Sequence, residues 1–303
     1  MSKPDLTALT TEASNPRTEQ LDAMPTLDLV AAMNDEDRHV ADAVRSQLPR
    51  IAALVDEIAE RMRKGGRLVY CGAGTSGRLA VLDAAECAPT FSAAQGQVVG
   101  VIAGGSEALV SPVEGAEDDT SAGEADLRAM HVGPKDVVVG ISASGRTPYV
   151  LGALGHARSV HALTAAIVCN PGSAVAAAAE MPVEVVTGPE VVTGSTRLKA
   201  GTATKMVLNM LSTGAFVRLE KVYGNLMVDL RAQNQKLVAR SIRIVAQAAR
   251  CDASTAERTL AACDGEAKVA IVVLRHAVDP ATARTLLLTH DGSVRRALEV
   301  GTA

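Results

Sequence analysis

The sequence contains no tryptophan, two phenylalanines and three tyrosines in 303 residues, yet 48% of it is hydrophobic. Recognition by ring stacking, on which single-strand nucleic-acid binders rely, has little material here. Thirty Lys and Arg stand against 34 Asp and Glu, a net charge of −4, so there is no basic footprint for nucleic acid or an anionic membrane surface. The five cysteines, at 71, 87, 169, 251 and 263, are odd in number and form no C-x-x-C, which argues against a disulfide framework or a zinc site. The six histidines form no H-E-x-x-H pair, so no metal is expected. No apolar run approaches the ~20 residues that span a bilayer, and Met1-Ser-Lys-Pro-Asp5 opens no signal-peptide core. These absences predict a reduced, cytoplasmic chain of one or two domains. They also require any ligand to be held by backbone groups, hydroxyls and charges.

What is present is aliphatic and periodic. Residues 1–25 are polar and broken by Asn15-Pro16, which predicts an extended arm. From Asp35 to Arg63, Val40, Val44, Leu48, Ile51, Leu54, Val55 and Ile58 recur at helical spacing, until Gly65-Gly66 ends the helix. Five short apolar runs follow, at Arg67–Cys71, Gln97–Ala103, Asp136–Ile141, Ala165–Cys169 and Val183–Val186, separated by helix-sized segments. Continuous rather than alternating runs indicate strands covered on both faces. The pattern predicts an α/β fold: a doubly wound, five-stranded parallel sheet with an N-terminal helix. A helix is expected from Ser195 to Arg218 and another from Asn234 to Ala249. The tail reads as short helices at Ser254–Cys263, Glu266–Arg275 and Pro280–His290, so the expected division is 1–250 and a small helical module at 251–303.

Two loops suit an anion. The first strand ends in Gly72-Ala-Gly-Thr-Ser-Gly77, formally G-x-G-x-x-G, opening a helix whose first N–H groups are free. A dinucleotide site also needs an acid after the second strand, and there the chain reads Ala103-Gly-Gly105. The third strand ends in Ser142-Ala-Ser-Gly-Arg-Thr147, with Pro148 suited to a first helical turn. In a 2-1-3-4-5 sheet both loops face the crevice where the winding reverses. Thr75, Ser76, Ser142, Ser144, Gly145 and Thr147 are therefore the expected phosphate-binding residues. The stretch does not fit the G-x-S-x-G of a serine nucleophile.

The S-x-S-G-x-T loop after a strand resembles the sugar isomerase (SIS) domain, which binds phosphosugars. Gly188-Pro-Glu-Val-Val-Thr-Gly-Ser-Thr-Arg-Leu-Lys199, continuing through Ala200-Gly-Thr-Ala-Thr-Lys205, resembles a signature shared by N-acetylmuramic acid 6-phosphate etherases and the glucokinase regulatory protein. Leu82-Asp-Ala-Ala-Glu-Cys87, Val113-Glu-Gly-Ala-Glu-Asp118, Thr11–Pro16 and Gly224–Asp229 resemble the etherases in particular. Departures are small: Ala85 and Ala88 stand where Ser and Pro are expected, and Thr196 where Ser is usual.

The resemblance implies a carbon–oxygen lyase that removes D-lactate from N-acetylmuramic acid 6-phosphate. Elimination followed by water addition leaves N-acetylglucosamine 6-phosphate, in the recycling of cell-wall amino sugars. It implies no cofactor, Glu86 as the acid, Glu117 as the base, and a homodimer to which the first long helix and the arm contribute. Two carboxyl groups in different environments can supply the opposite proton states required. Glu86, flanked by Ala84-Ala85 and Cys87-Ala88, is expected to be buried and so held protonated. On residue pattern alone, Glu86 reads as a solvated helix side chain and Glu117-Asp-Asp119 as an acidic helix start. Arg197, Lys199 and Lys205 are possible contacts to the substrate carboxylate or phosphate, or structural partners of a helix start. A phosphosugar isomerase and a non-catalytic phosphosugar sensor are the alternative readings. The tail resembles a small ubiquitin-associated-like bundle.

Overall fold

The computed structural model describes residues 9–230 and 235–299. The first eight residues of the expected arm and the last four of the tail lie outside the described residues. Strands β1 (Leu68–Gly72), β2 (Val98–Ile102), β3 (Val137–Ser142), β4 (Leu163–Val168) and β5 (Met181–Glu184) form one parallel sheet in the order β2-β1-β3-β4-β5. The three inner strands are buried at every position and the two edge strands are partly exposed. This is why the inner runs are continuously apolar. β5 begins two residues earlier than expected and includes Pro182, which an edge strand tolerates because no neighbour needs its missing N–H.

On one face, Val69, Cys71, Val138, Ala166 and Val168 pack with Leu127, Tyr149, Val150 and Leu154, carried by helices α4 (Thr120–Ala129) and α5 (Pro148–Ser159). The alternate residues Leu68, Tyr70, Val137, Val139 and Ile167 are equally buried, as expected for a sheet covered on both sides.

The single helix expected over 35–63 is two: α1 (Thr26–Arg45) and α2 (Leu48–Arg63). Ser46 Oγ donates to the Ala43 carbonyl at 2.7 Å and closes α1, and Pro49 opens α2 where its missing N–H costs nothing. α3 (Gly74–Phe91) follows β1, α6 (Ala174–Ala178) follows β4, and α7 (Lys199–Arg218) starts four residues later than expected.

By contact the chain falls into two compact units. One takes in the chain through Ala85 and Gly96–Gly214; the other takes in Glu86–Gln95 and the chain from Ala215. The second holds a short hairpin, β6 (Val222–Tyr223) with β7 (Leu226–Met227), and α8 (Gln235–Ala249), α9 (Ala253–Ala262), α10 (Ala267–His276), α11 (Pro280–Thr289) and α12 (Val294–Glu299). Its core joins Ile244 and Val245 of α8 to Leu260, Ile271, Val272 and Leu287. A boundary at residue 250 cuts through that core. Among the described residues no helix is long and apolar enough to cross a membrane.

The roots of β1 and β3, the strands that carry both loops, are tied by one ion pair. Asp136 is 5% exposed and accepts from the Arg67 guanidinium at 2.7 and 3.2 Å, from the Arg67 backbone N–H at 2.9 Å and from the Gly133 N–H at 3.0 Å. Burial alone pushes this carboxyl up, but the Arg67 and backbone hydrogen bonds outweigh it and hold it below the usual aspartate range. Asp136→Ala is expected to cost about 3 kcal/mol in urea unfolding at neutral pH, because it leaves Arg67 unpaired. A depressed carboxyl stabilises above the ordinary aspartate pKa and loses that contribution as pH falls through its folded value. The gap between parent and variant should therefore narrow as pH falls below the ordinary aspartate range.

Candidate active site

Both loops stand at the carboxyl ends of β1 and β3, the adjacent strands where the sheet order reverses. After β1 the chain turns directly into α3, putting Thr75 and Ser76 in the first helical turn. Gly77 is required there: a Cβ would lie 2.7 Å from the Gly72 carbonyl and 2.5 Å from the Ile102 side chain. After β3, Ser142 Oγ lies 2.8 Å from Thr147 Oγ1 and 3.4 Å from Ser144 Oγ, and it accepts the Gly145 N–H at 3.0 Å. Ser144 Oγ accepts the Arg146 N–H at 3.3 Å. Gly145 sits at φ +72°, and a Cβ there would meet Ser173 Oγ at 2.2 Å. Its N–H is engaged inside the loop, so Gly145 shapes the turn rather than facing a ligand.

Thr75, Ser76, Ser142, Ser144 and Thr147 line one hollow of about 250 Å³, and Glu117 opens onto it. Hydroxyls and the start of α3 give the hollow the neutral donors of an anion cradle, and the α3 dipole favours negative charge there. Cys71 and Cys169 lie closest in sequence and structure to these loops, Cys169 N–H donating to the Ala143 carbonyl at 3.0 Å. Burial pushes each thiol up to about 12, with the Glu190 charge adding at Cys169, so neither supplies a thiolate at neutral pH.

The acidic run at 117–119 divides by role. Asp119 caps α4, accepting the Ala122 N–H at 2.9 Å, which is the helix-start function. Glu117, on a short 3₁₀ turn over Ala116–Asp118, is exposed and faces the cradle. Glu114 lines an adjoining hollow with Arg78.

Glu86 differs from expectation. It is exposed on α3, as are Ala85, Ala88 and Pro89, so the apolar neighbours do not bury it within the chain. Lys199 is also a correction. It is 2% exposed, and its ammonium donates to Glu36 at 2.5 Å, so it is not available to a substrate. Glu36 is buried, which pushes its carboxyl up, but the Lys199 bond and charge bring it below the usual range. Arg197 stands on neither loop and lines a separate groove beside the cradle.

Glu12, Thr196 and Thr204 also line the cradle, and none of the three was expected there from the sequence. Glu12 arrives on the N-terminal arm. That arm is fastened where Asn170 Nδ2 donates to Thr11 Oγ1 at 2.9 Å and to the Ala143 carbonyl at 3.0 Å. Thr196 and Thr204 lie in the Gly188–Lys205 signature, and their hydroxyls were the available signal.

Comparison with known proteins agrees with this geometry. The glucokinase regulatory protein N-terminal SIS domain family matches residues 50–158, and the SIS domain family matches residues 120–214. A protein of Streptomyces coelicolor named N-acetylmuramic acid 6-phosphate etherase is 57% identical over 293 residues, covering 97% of this chain and 94% of that protein. Relatives of the same name from Photorhabdus laumondii and Mycolicibacterium smegmatis are 53% and 54% identical, covering 97% and 98% of this chain and 97% and 100% of theirs.

A cradle of this kind should register inorganic phosphate. At about 100 times its Kd, phosphate should stabilise the folded chain by about 2.7 kcal/mol, seen as a rise in Tm. Ser142→Ala is expected to lose most of that rise. Ser159→Ala, whose exposed hydroxyl bonds the His156 carbonyl at the end of α5, should keep it. An unchanged rise in Ser142→Ala would contradict phosphate binding at the cradle.

Proposed function

This chain belongs to the N-acetylmuramic acid 6-phosphate etherases, and from that membership we propose how its residues divide the reaction. It cleaves the D-lactyl ether of N-acetylmuramic acid 6-phosphate and yields N-acetylglucosamine 6-phosphate and D-lactate. The observation that carries the assignment is that Glu117 opens onto the same hollow as the Ser142, Ser144 and Thr147 hydroxyls.

The cradle holds the 6-phosphate. The ring opens to the aldehyde, which acidifies the proton at C2, and Glu117 removes that proton. The C2–H electron pair forms the C2=C3 double bond as the C3–oxygen bond breaks. Glu86 protonates the departing lactyl oxygen, so lactate leaves as an alcohol rather than an alkoxide. Water then adds at C3 of the unsaturated aldehyde, and C2 regains a proton.

Glu86 meets this substrate in our reading from a second copy of the chain. The exposed Ala85, Ala88 and Pro89 beside Glu86 form a small-residue face that a second copy can cover. Covering that face also encloses Glu86, which is exposed in the single chain. A homodimer is thus part of the proposal. So is a cytoplasmic setting, where the five free cysteines stay reduced.

Glu86→Ala and Glu117→Ala should each slow lactate release about 1,000-fold while remaining folded. Equal mixtures of the two inactive variants should recover about a quarter of the parent activity after subunit exchange, because one site in each mixed dimer is then complete. No recovery despite verified exchange would put both carboxylates in one chain's site.

A further inference from the structure

We propose that the groove beside the cradle seats the lactyl carboxylate, and that Arg197 and Lys205 are the residues that select for it. The proposal rests on the etherase reading. The groove has a volume of about 350 Å³ and lies between the start of α3 and the first turns of α7. Thr75 and Gly201 line both the groove and the cradle, so one small molecule can place a different group in each.

The charges in this groove are unlike those in the rest of the site. The cradle carries hydroxyls and two acids, Glu12 and Glu117. The groove carries a guanidinium and an ammonium, with no carboxylate on its walls. Among the described residues Arg197 forms no ion pair, and its side chain is exposed. Lys205 donates to a neutral acceptor, Asn209 Oδ1, at 3.1 Å, which aims the ammonium without neutralising it.

Asp83 feels the Lys205 charge but is itself engaged by the Tyr70 hydroxyl at 3.0 Å and Ser212 Oγ at 3.1 Å, away from the groove walls. Lys199, six residues before Lys205 on the same helix, shows the contrasting case of a cation fully matched by a buried partner, Glu36.

Among the described residues neither cation is in an ion pair, and with no carboxylate on the groove walls the two suit an anion. The apolar part of the wall, Leu79 and Met206, suits a small alkyl group next to that anion. A lactyl ether carries both features, a carboxylate and a methyl on one carbon. The substrate's two negative groups are then sorted by the chemistry of their seats. The phosphate goes to hydroxyls and the start of α3, and the carboxylate goes to Arg and Lys, with the planar guanidinium able to bind it through two hydrogen bonds.

The test uses the full-length protein with N-acetylmuramic acid 6-phosphate and with its analogue in which the lactyl carboxylate is a primary carboxamide. The parent should prefer the acid by about 100-fold in kcat/KM. Arg197→Gln and Lys205→Gln should each lower kcat/KM for the acid about 10-fold or more, with a much smaller loss on the amide, so that the preference collapses. Arg197→Lys and Lys205→Arg should recover part of it.

Inhibition by N-acetylglucosamine 6-phosphate, which has no lactyl group, should be the same in parent and variants and reports an intact fold and cradle. Equal losses on acid and amide, or weaker inhibition by that product, would overturn the assignment. A parent that cleaves both compounds equally would overturn it too. A parent that releases neither lactate from the acid nor lactamide from the amide fails the etherase reading itself, and the proposal falls with it.

Discussion

The buried carboxylate of Glu190 determines where α7 begins, and most of the site follows from that. Glu190 is 0% exposed and accepts the backbone N–H of Lys199 at 2.9 Å and of Ala200 at 3.0 Å. Two otherwise unpaired helix donors are satisfied by one side chain, and the negative charge sits at the positive end of the dipole. Burial pushes this carboxyl up, and the two backbone bonds and the Lys199 charge pull against that push. Lys199 in turn anchors Glu36 of α1, and Arg17 reaches the same carboxylate at 3.4 Å. The helix is thereby held at one register. That register delivers Thr204 to the cradle and Lys205 to the groove, with Thr196 and Arg197 on the turn just before.

How much of this was legible in the sequence depended on how far apart the partners lie. The sheet was readable because each inner strand is buried on both faces and therefore continuously apolar. The two loops were readable because glycine and hydroxyl residues are required within a few positions of one another. The role of Lys199 was not, because its partner Glu36 is 163 residues away and nothing local separates a buried cation from an exposed one. Glu12 was missed for a similar reason: the arm is fixed by Asn170, 159 residues from Thr11. The break between α1 and α2 rested on one serine side chain bonding back to the chain. The exposure of Glu86 was not legible because small apolar neighbours look the same in a sequence whether they line a core or a surface.

The scarcity of aromatic rings fits the way the ligand is held. A sugar bound through its ring faces calls for stacking platforms, whereas a sugar phosphate bound through its charged ends does not. This chain places hydroxyls and two glutamates, Glu12 and Glu117, around one hollow and two cations in the adjoining groove. The division matches a substrate with two anions of different geometry.

In the proposed reaction a carboxylate removes the proton at C2 before the ether breaks. Incubating the protein with N-acetylmuramic acid 6-phosphate in D₂O tests it most directly. Proton abstraction at C2 should give free D-lactate together with deuterium at C2 of the N-acetylglucosamine 6-phosphate formed. Lactate without deuterium at C2 would mean direct cleavage of the ether and would contradict it. Deuterium at C2 without lactate would contradict it as well, and would indicate isomerase-like chemistry on the same scaffold.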